Sequence, residues 1–338
     1  MSAHTPARIA VVGGGSWGTT LADLLSRQGA EVVLWAREPE VVESINRAHV
    51  NTMFLPDAPL APGLTSTGDL AAAVREATVI VSAAPSHAVR DVMTQAALAL
   101  AGHPLVVSVS KGLEPTKLEP LSTVLEDVLG GGARVAVLSG PSFAQEVYQR
   151  QPTAVVVAAH DHEVAQEAQR VFSSPRFRVY THTDVIGVEL GGALKNVIAL
   201  AAGILEGLGL GNNPRAALIT RGLAEITRLG VALGADPLTF AGLAGMGDLI
   251  LTATGSLSRN RTLGVALGQG KTLAEAQAGK RSVAEGVNTA RAAVALGARQ
   301  GVELPIASEV SAILFDGKSP RQAIADLMER APKPEQWR

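Results

Sequence analysis

The sequence contains no cysteine, and aromatic residues make up only 3% of its 338 positions. The lack of cysteine excludes disulfide bonds, cysteine nucleophiles and thiolate metal sites. An excess of charge of one sign is also missing, because the formal net charge at pH 7 is only −2. No overall field therefore attracts nucleic acid or an anionic membrane, and any recognition of phosphate has to come from local groups.

Long hydrophobic runs are missing as well. The first six residues lack the apolar core of a signal peptide, and the longest apolar run, residues 197–205, is too short to span a bilayer. We therefore expect a cytoplasmic protein without membrane insertion. Metal binding is not expected either, because His160 and His162, which flank Asp161, have no supporting carboxylate cluster.

Apolar residues are plentiful, at 47% of a chain long enough for two globular domains. In the first half, short runs of valine, isoleucine and leucine alternate with helical stretches, a pattern typical of parallel strands buried on both faces. Strands are predicted at residues 8–12, 31–35, 79–82, 105–108, 134–138, 154–158 and 177–180. Their order predicts a doubly wound α/β sheet, which the strands after residue 134 extend in partly antiparallel fashion.

A glycine-rich turn joins the first predicted strand to a predicted helix. Gly13, Gly15 and Gly18 form the pattern G-x-G-x-x-G, in which the first glycine permits the tight turn and the second lets the backbone approach a pyrophosphate. The third lets the helix pack close to the strand, and the free N–H groups at the helix start attract phosphate. This order predicts a Rossmann-type dinucleotide-binding domain; the alternative is a glycine-rich turn in an ordinary α/β domain.

From about residue 184 the pattern changes to helix-length segments rich in alanine and leucine. Helices are predicted there at residues 185–208, 214–233, 287–296, 305–315 and 320–330. The expected organisation is a dinucleotide-binding domain over residues 1–184, an all-helical substrate-binding domain over 185–330 and a frayed tail over 331–338. Because no linker separates the two halves, the cleft between them is the natural place for a site.

The end of the second predicted strand bears on the choice of dinucleotide. Domains of this type that prefer NAD usually carry an acidic residue there for the ribose hydroxyls, but Arg37 stands near that position and Glu38 follows one residue late. A guanidinium suits a 2′-phosphate. We predict NADP(H) as the preferred cofactor with NAD(H) tolerated; a solvated arginine after a strand is the alternative.

Polar residues in unusual surroundings mark the substrate side. Lys111 follows a strand at its carboxyl end, where ligands bind in open sheets, and Lys195 and Asn196 interrupt an apolar helix. A buried ammonium needs a lowered pKa or a charged partner, and either suits proton transfer. Ser258 can cap a helix that begins near Arg259, which makes a cradle for phosphate. Together they predict a small phosphorylated carbonyl or alcohol substrate; solvated or snorkelling side chains are the alternative.

Six segments, taken in order, resemble the bacterial NAD(P)-dependent glycerol-3-phosphate dehydrogenases. The resemblance runs over nearly the whole chain and is carried by residues 13–18, 110–112, 140–144, 194–196, 245–248 and 258–260. It implies the reversible reduction of dihydroxyacetone phosphate to sn-glycerol 3-phosphate, which supplies the backbone of phospholipids. By this resemblance Lys195 is the general acid/base.

The resemblance also implies two sets of ligand contacts. The substrate residues would be Lys111, Gly140, Ser142, Lys195, Asp248, Ser258, Arg259 and Asn260. The cofactor residues would be Gly13, Gly15, Ser16, Trp17, Gly18, Arg37, Lys111, Ala144, Arg259, Val283 and Glu285. A homodimer is expected, because the alanine- and leucine-rich helices offer more apolar surface than one small domain needs.

Two other functions stay open at this point. A related two-domain hydroxyacid dehydrogenase, of the 6-phosphogluconate or 3-hydroxyisobutyrate type, shares the nucleotide domain and a helical lysine–asparagine pair, although segments 245–248 and 258–260 argue against it. A non-enzymatic NADP(H)-sensing protein would keep the glycine turn but has no reason for a lysine inside an apolar helix.

Overall fold

The computed structural model describes residues 7–279, 284–332 and 334–335. Its strands are β1 (Arg8–Val12), β2 (Glu31–Trp35), β3 (Thr65–Thr67), β4 (Val79–Ser82), β5 (Leu105–Ser108), β6 (Arg134–Ser139), β7 (Thr153–Ala158) and β8 (Phe177–His182). They form one eight-stranded sheet in the order β3-β2-β1-β4-β5-β6-β7-β8. Within the described residues, all neighbouring pairs are parallel except β6 and β7, which run antiparallel.

The strands predicted from the sequence are all present, and those that differ do so by one or two residues at an end. The antiparallel extension of the sheet after residue 134 is confirmed. The sequence does not predict β3, because its residues are threonine and serine without an apolar run. Only its pairing with β2 makes this segment a strand.

Helices cover both faces of the sheet in the first half. They are α1 (Ser16–Arg27), α2 (Pro39–Ala48), α3 (Leu70–Val74), α4 (Val89–Ala97), α5 (Leu121–Leu129), α6 (Ala144–Tyr148) and α7 (His162–Phe172). Successive residues of β1 show the two layers, because Ile9 and Val11 lie in one buried apolar cluster and Ala10 and Val12 in another. The predicted burial of the strands on both faces is therefore confirmed.

The second half is helical, as predicted. Its helices are α8 (Val185–Gly207), α9 (Asn212–Ala232), α10 (Asp248–Thr254), α11 (Arg259–Gly268), α12 (Leu273–Gln277), α13 (Gly286–Gln300), α14 (Pro305–Phe315) and α15 (Pro320–Met328). A 3-10 turn at Pro237–Ala241 and a π-turn at Leu243–Gly247 precede α10. The division of the chain into domains at residues 184 and 185 stays a prediction.

The long helix α8 forms the centre of the second half. Its 23 residues are long and apolar enough to cross a membrane by length and composition, although the sequence shows only the shorter run 197–205. However, 94% of its most apolar window is buried inside the protein, as in the core helix of a globular fold. A Cβ added at Gly203 would lie 2.0 Å from the carbonyl oxygen of Arg261, so α8 and α11 pack backbone against backbone.

A small apolar cluster joins the two halves. Val137 of β6 and Val156 of β7 pack against Val188 of α8 and Ala244 of the π-turn. Since β1, β4, β5 and β6 run parallel, their carboxyl ends share one edge of the sheet. The loops that leave this edge therefore meet α8 and α10.

Candidate active site

The glycine-rich turn between β1 and α1 has the geometry that its sequence predicts. Gly13 has φ of +131°, and a Cβ there would lie 2.7 Å from the carbonyl carbon of Ala83. A Cβ at Gly18 would lie 2.0 Å from the carbonyl oxygen of Gly13, so the helix and the turn touch through their backbones. A Cβ at Gly15 would meet no atom of the described residues within 4 Å. The turn is closed against β4 and open on its ligand side.

The N-terminus of α1 fits a pyrophosphate. The helix begins at Ser16, and Gly15 before it offers no side-chain cap. The N–H groups of the first turn therefore stay available to an anion, which the positive end of the helix dipole also favours. The indole N–H of Trp17 is buried and has no hydrogen-bond partner among the described residues. This arrangement gives the dinucleotide predicted for residues 13–18 a matching cradle.

Two other predicted cofactor residues lie beside these elements. Arg37 follows β2 and is largely exposed, and its Nη2 pairs with Glu38 Oε1 at 3.0 Å. Ala144 opens α6, and its carbonyl oxygen accepts a hydrogen bond from Thr20 Oγ1 of α1 at 3.2 Å. Arg37 therefore keeps its guanidinium in solvent next to an acidic neighbour, whereas Ala144 is tied to the nucleotide-binding helix.

Two lysines and one aspartate form a buried ionic cluster. Lys195 of α8 and Lys111, which lies just after β5, both pair with Asp248 at the start of α10. Lys195 Nζ lies 2.5 Å from Asp248 Oδ1, and Lys111 Nζ lies 2.8 Å from Asp248 Oδ2. Lys195 is only 5% exposed and Asp248 only 1%. The structure thus brings together three predicted residues from three separate elements, and the predicted burial of Lys195 is confirmed.

Burial and mutual charge set the protonation of this cluster. Burial lowers the pKa of Lys195 to about 7; the charge of Lys111 acts in the same sense and that of Asp248 in the opposite one. Burial alone would raise the pKa of Asp248, but the two ammonium groups outweigh it and hold the pKa of this carboxyl below its usual range. Lys195 can therefore gain or lose a proton near neutral pH, while Asp248 stays ionised.

The π-turn before α10 sets the position of Asp248. In this turn the N–H of Gly247 donates to the carbonyl oxygen of Gly242 at 3.1 Å. A Cβ at Gly245 would lie 2.1 Å from the carbonyl oxygen of Phe240, so the turn requires glycine there. Insertions of this kind into helices are frequent at functional sites. The predicted segment 245–248 therefore acts as the support of the aspartate.

Thr252 is a candidate site residue that the sequence does not reveal. Its Oγ1 accepts a hydrogen bond from Lys195 Nζ at 2.9 Å and donates one to the carbonyl oxygen of Asp248 at 2.6 Å. A threonine in an apolar helix carries no signal of its own. Its spacing of one helical turn from Asp248 is the single feature that points to it.

The loop after β6 is held to Lys111. Lys111 Nζ donates to the carbonyl oxygen of Gly140 at 2.9 Å and to Ser142 Oγ at 3.3 Å. Gly140 has φ of +132°, a backbone conformation that favours glycine. Lys111 therefore contacts Gly140, Ser142 and Asp248 at once, and these four predicted substrate residues form one unit.

A chain of amide groups connects the helical half to Lys111. Asn196 Nδ2 donates to the carbonyl oxygen of Lys111 at 3.1 Å, and Asn260 Nδ2 donates to Asn196 Oδ1 at 2.9 Å. Asn260 Oδ1 in turn accepts from the N–H of Gly286 at 3.0 Å. Asn260 therefore reaches the cluster through Asn196, which lies beside Lys195 and is not among the predicted substrate residues.

The remaining predicted residues lie around the start of α11. Ser258 caps this helix as predicted, since its Oγ accepts from the N–H of Arg261 at 3.2 Å. Arg259 is the first residue of the helix and is exposed. Glu285 accepts a hydrogen bond from Ser86 Oγ at 2.6 Å, which joins the loop after β4 to the helical half, and its charge acts on Arg259. The predicted cofactor residue at position 283 lies outside the described residues.

Comparison with known proteins covers both halves of the chain. The family model of the NAD-dependent glycerol-3-phosphate dehydrogenase N-terminus matches residues 8–165, and the model of the C-terminus of the same family matches residues 184–325. The glycerol-3-phosphate dehydrogenase (NAD(P)+) of Geobacter metallireducens is 56% identical over 330 residues, which cover 97% of this chain and 98% of the relative.

Two further relatives agree with this match. The protein of the same name from Myxococcus xanthus is 51% identical and covers 97% of this chain and 98% of its own length. The crystal structure of glycerol-3-phosphate dehydrogenase from Coxiella burnetii is 40% identical, covers 96% of this chain and 99% of its own, and superposes with a TM-score of 0.93. The chain therefore belongs to the NAD-dependent glycerol-3-phosphate dehydrogenase family.

Proposed function

We propose that this protein catalyses the reversible, NAD(P)H-dependent reduction of dihydroxyacetone phosphate to sn-glycerol 3-phosphate. The observation that carries the proposal is the buried cluster of Lys195, Asp248 and Lys111 at the carboxyl edge of a sheet with an open glycine turn. The relatives' name supports the substrate pair, and the structure supplies the groups that the reaction needs.

Lys195 is proposed as the proton donor for reduction. The nicotinamide, when bound, supplies the hydride that reaches the substrate's carbonyl carbon. Negative charge then develops on the carbonyl oxygen, and Lys195, with its pKa lowered to about 7 by burial, can give up a proton to it at neutral pH. In the oxidative direction the neutral amine accepts the same proton.

Asp248 and Lys111 are proposed to orient the reacting groups. Asp248 fixes the Lys195 ammonium through its Oδ1 and Lys111 through its Oδ2. Lys111 adds a positive charge beside the position of the developing oxyanion, and its contacts to Gly140 and Ser142 hold this loop against the substrate.

The start of α11 is proposed as the phosphate site. Arg259 is exposed there on the first turn of a helix that Ser258 caps, and a helix start and a guanidinium both favour phosphate. Asn260 holds this helix to the lysine cluster through Asn196. Binding of the phosphate at this point orients the carbon that reacts.

For the dinucleotide, we propose the glycine turn as the pyrophosphate site and Arg37 as the contact that favours NADP(H) over NAD(H). Exposure of Arg37 at the end of β2 supports this choice. Ala144, Lys111, Arg259, Val283 and Glu285 complete the proposed contacts. We further propose a homodimer in the cytoplasm that serves phospholipid synthesis; the exposed apolar side chains Met246 and Ile250 support a subunit contact.

The proposal is tested with Lys195→Ala and a matched control, Lys271→Ala, at an exposed lysine distant in sequence from the cluster. Oxidation of NADPH and of NADH is followed by absorbance with dihydroxyacetone phosphate, and reduction of NADP+ and of NAD+ is followed with 6-phosphogluconate and 3-hydroxyisobutyrate. Lys195→Ala is expected to lower kcat by about 10²–10⁴-fold, the usual contribution of a general acid. NADPH binding, measured by fluorescence titration, is expected to stay unchanged in both variants.

Turnover of the Lys195→Ala variant at the control's rate would overturn the role of this lysine. Turnover of a hydroxyacid with none of dihydroxyacetone phosphate would point to the related hydroxyacid dehydrogenases. Binding of NADPH without turnover of any substrate would point to a sensing protein.

A further inference from the structure

A cavity lies away from the lysine cluster, between α1, α6 and the turn that precedes β8. It has a volume of about 260 Å³. One face of α1, which includes Leu24 and Arg27, forms one wall, and Tyr148, Arg150, Arg176 and Phe177 lie on the others. The cavity adjoins the C-terminal end of α6, whereas Gly140 and Ser142 precede its N-terminal end, so it is separate from the proposed active site.

The charged side chains around this cavity carry an excess of positive charge. Asp23 already accepts two hydrogen bonds from Arg27 Nε, at 3.0 and 2.8 Å, and one from the N–H of Ala61 at 2.7 Å. Arg150 and Arg176 are exposed and make no hydrogen bond or ion pair with a carboxylate among the described residues. Two guanidinium groups at the rim are thus available to an anion.

Arg150 also has a backbone conformation that disfavours an arginine. It has φ of +58°, just past the end of α6, in a motif where the N–H of Gln151 donates to the carbonyl oxygen of Glu146 at 3.0 Å. Glycine is the usual residue at this position, because a Cβ is sterically disfavoured at positive φ. The arginine therefore stands at the cavity rim against its backbone preference.

The interior of the cavity is mainly apolar. Leu24, Val147, Pro175 and Phe177 contribute to its walls, and Phe177 is fully buried behind it. The Tyr148 hydroxyl is directed elsewhere, since it donates to the carbonyl oxygen of Pro59 at 2.9 Å. An occupant would therefore place an apolar body inside and an anionic head at the two arginines.

We propose that this cavity binds a small organic carboxylate with a short aliphatic chain. The carboxylate accepts hydrogen bonds from Arg150 and Arg176, and the chain lies against Leu24 and Pro175. Charge-assisted hydrogen bonds would hold the carboxylate, and burial of the methylene groups would hold the chain.

The test uses hexanoate as the probe, with hexanol as its uncharged counterpart and sulfate as an anion without a chain. Calorimetric titration of the unaltered protein is expected to give saturable binding of hexanoate and at least about tenfold weaker binding of hexanol and of sulfate. Arg150→Gln and Arg176→Gln are each expected to weaken this binding about tenfold or more. Arg75→Gln, at an exposed arginine outside the cavity, and Arg259→Gln, at the proposed phosphate site, serve as controls that keep it.

Arg150→Gly separates binding from folding. Because glycine accepts the positive φ, this variant is expected to unfold at the same temperature as the unaltered protein or above it, and still to lose hexanoate binding. Three results would each overturn the proposal. They are binding of hexanoate to the Arg150 and Arg176 variants as tight as to the unaltered protein, loss of hexanoate binding in Arg259→Gln, and binding of hexanol as tight as that of hexanoate.

Discussion

At the scale of single residues, burial lowers the pKa of Lys195 to about 7, so that in the proposed mechanism this lysine can act as an acid at neutral pH. Lys195 interrupts the apolar helix α8, and its ammonium group is buried with Asp248 and Thr252 as partners. The second ammonium, on Lys111, repels the protonated form of Lys195, whereas Asp248 stabilises it. The pKa of Lys195 therefore depends on both neighbours. Removing one partner should therefore shift the pKa of Lys195 more than it changes the affinity for the substrate.

Thr252→Val tests this balance. Valine keeps the shape of threonine but removes the oxygen that accepts from Lys195 Nζ. The charged form of Lys195 loses a hydrogen bond of about 1.5 kcal/mol, so we expect the pH midpoint for reduction to fall by about one unit. Measuring kcat against pH shows the change; Thr252→Ser, which keeps the hydroxyl, is expected to restore the midpoint. A midpoint that stays in place in Thr252→Val would assign the residue to packing alone.

Which site residues are predictable from the sequence depends on how unusual their surroundings are. A lysine within an apolar helix is conspicuous, and so is a serine that precedes a helix; Lys195 and Ser258 were predictable on these grounds. Thr252 and Ser86 are common residue types in common surroundings. Their contacts to Lys195 and Glu285 arise only when separate elements meet, which no local pattern encodes.

At the scale of elements, a buried glutamate joins α8 to the first half of the chain. Glu189 of α8 accepts hydrogen bonds from the N–H of Ser122, at 3.0 Å, and from the Ser122 hydroxyl, at the start of α5. Burial raises the pKa of Glu189 to about 7, which these hydrogen bonds only partly oppose. The carboxyl group therefore serves as a cap for α5 that another helix supplies.

Glu189→Gln is expected to reduce the pH dependence of stability. The folded pKa of Glu189 is about 7 and the unfolded value is 4.5, so the folded state binds the proton more tightly. The free energy of unfolding therefore falls as pH rises from 4.5 through about 7, by at most about 3 kcal/mol for this group. Chemical denaturation at pH 5.5 and 8 should show a smaller fall in Glu189→Gln than in the unaltered protein.

The exposed Glu329→Gln is the control for this measurement and should leave the fall unchanged. Part of the fall should persist in Glu189→Gln as well, because burial also raises the pKa of Glu225 to about 7. A variant that loses stability equally at both pH values would show that Glu189 acts only as a hydrogen-bond acceptor.

Helices and strands are predictable from the sequence where their pattern of apolar residues is strong. The apolar strands and the long helices of the second half were predictable because burial on both faces, or around a whole helix, leaves a clear pattern. The polar strand β3 and the π-turn at Leu243–Gly247 leave none. Close contacts of Gly245 with the backbone of Phe240 decide that turn, and they exist only in the folded chain.

At the scale of the whole molecule, the function depends on how the helical half meets the carboxyl edge of the sheet. Polar contacts cross between the halves at several places, among them Lys111 to Asp248, Asn196 to the Lys111 backbone, Ser86 to Glu285 and Ser122 to Glu189. The apolar cluster of Val137, Val156, Val188 and Ala244 supports them from behind. Lys195 of the helical half is thereby held, through Asp248, beside Lys111 at the carboxyl edge of the sheet.

The most direct measurement of this arrangement is the pH dependence of the rate constant of hydride transfer, measured by single-turnover kinetics in both reaction directions. Reduction needs protonated Lys195 and oxidation needs the neutral amine, so we expect reduction to slow and oxidation to speed up as pH rises through about 7. Two profiles that rise together, or that stay flat between pH 6 and about 8, would contradict a lysine donor poised near neutrality.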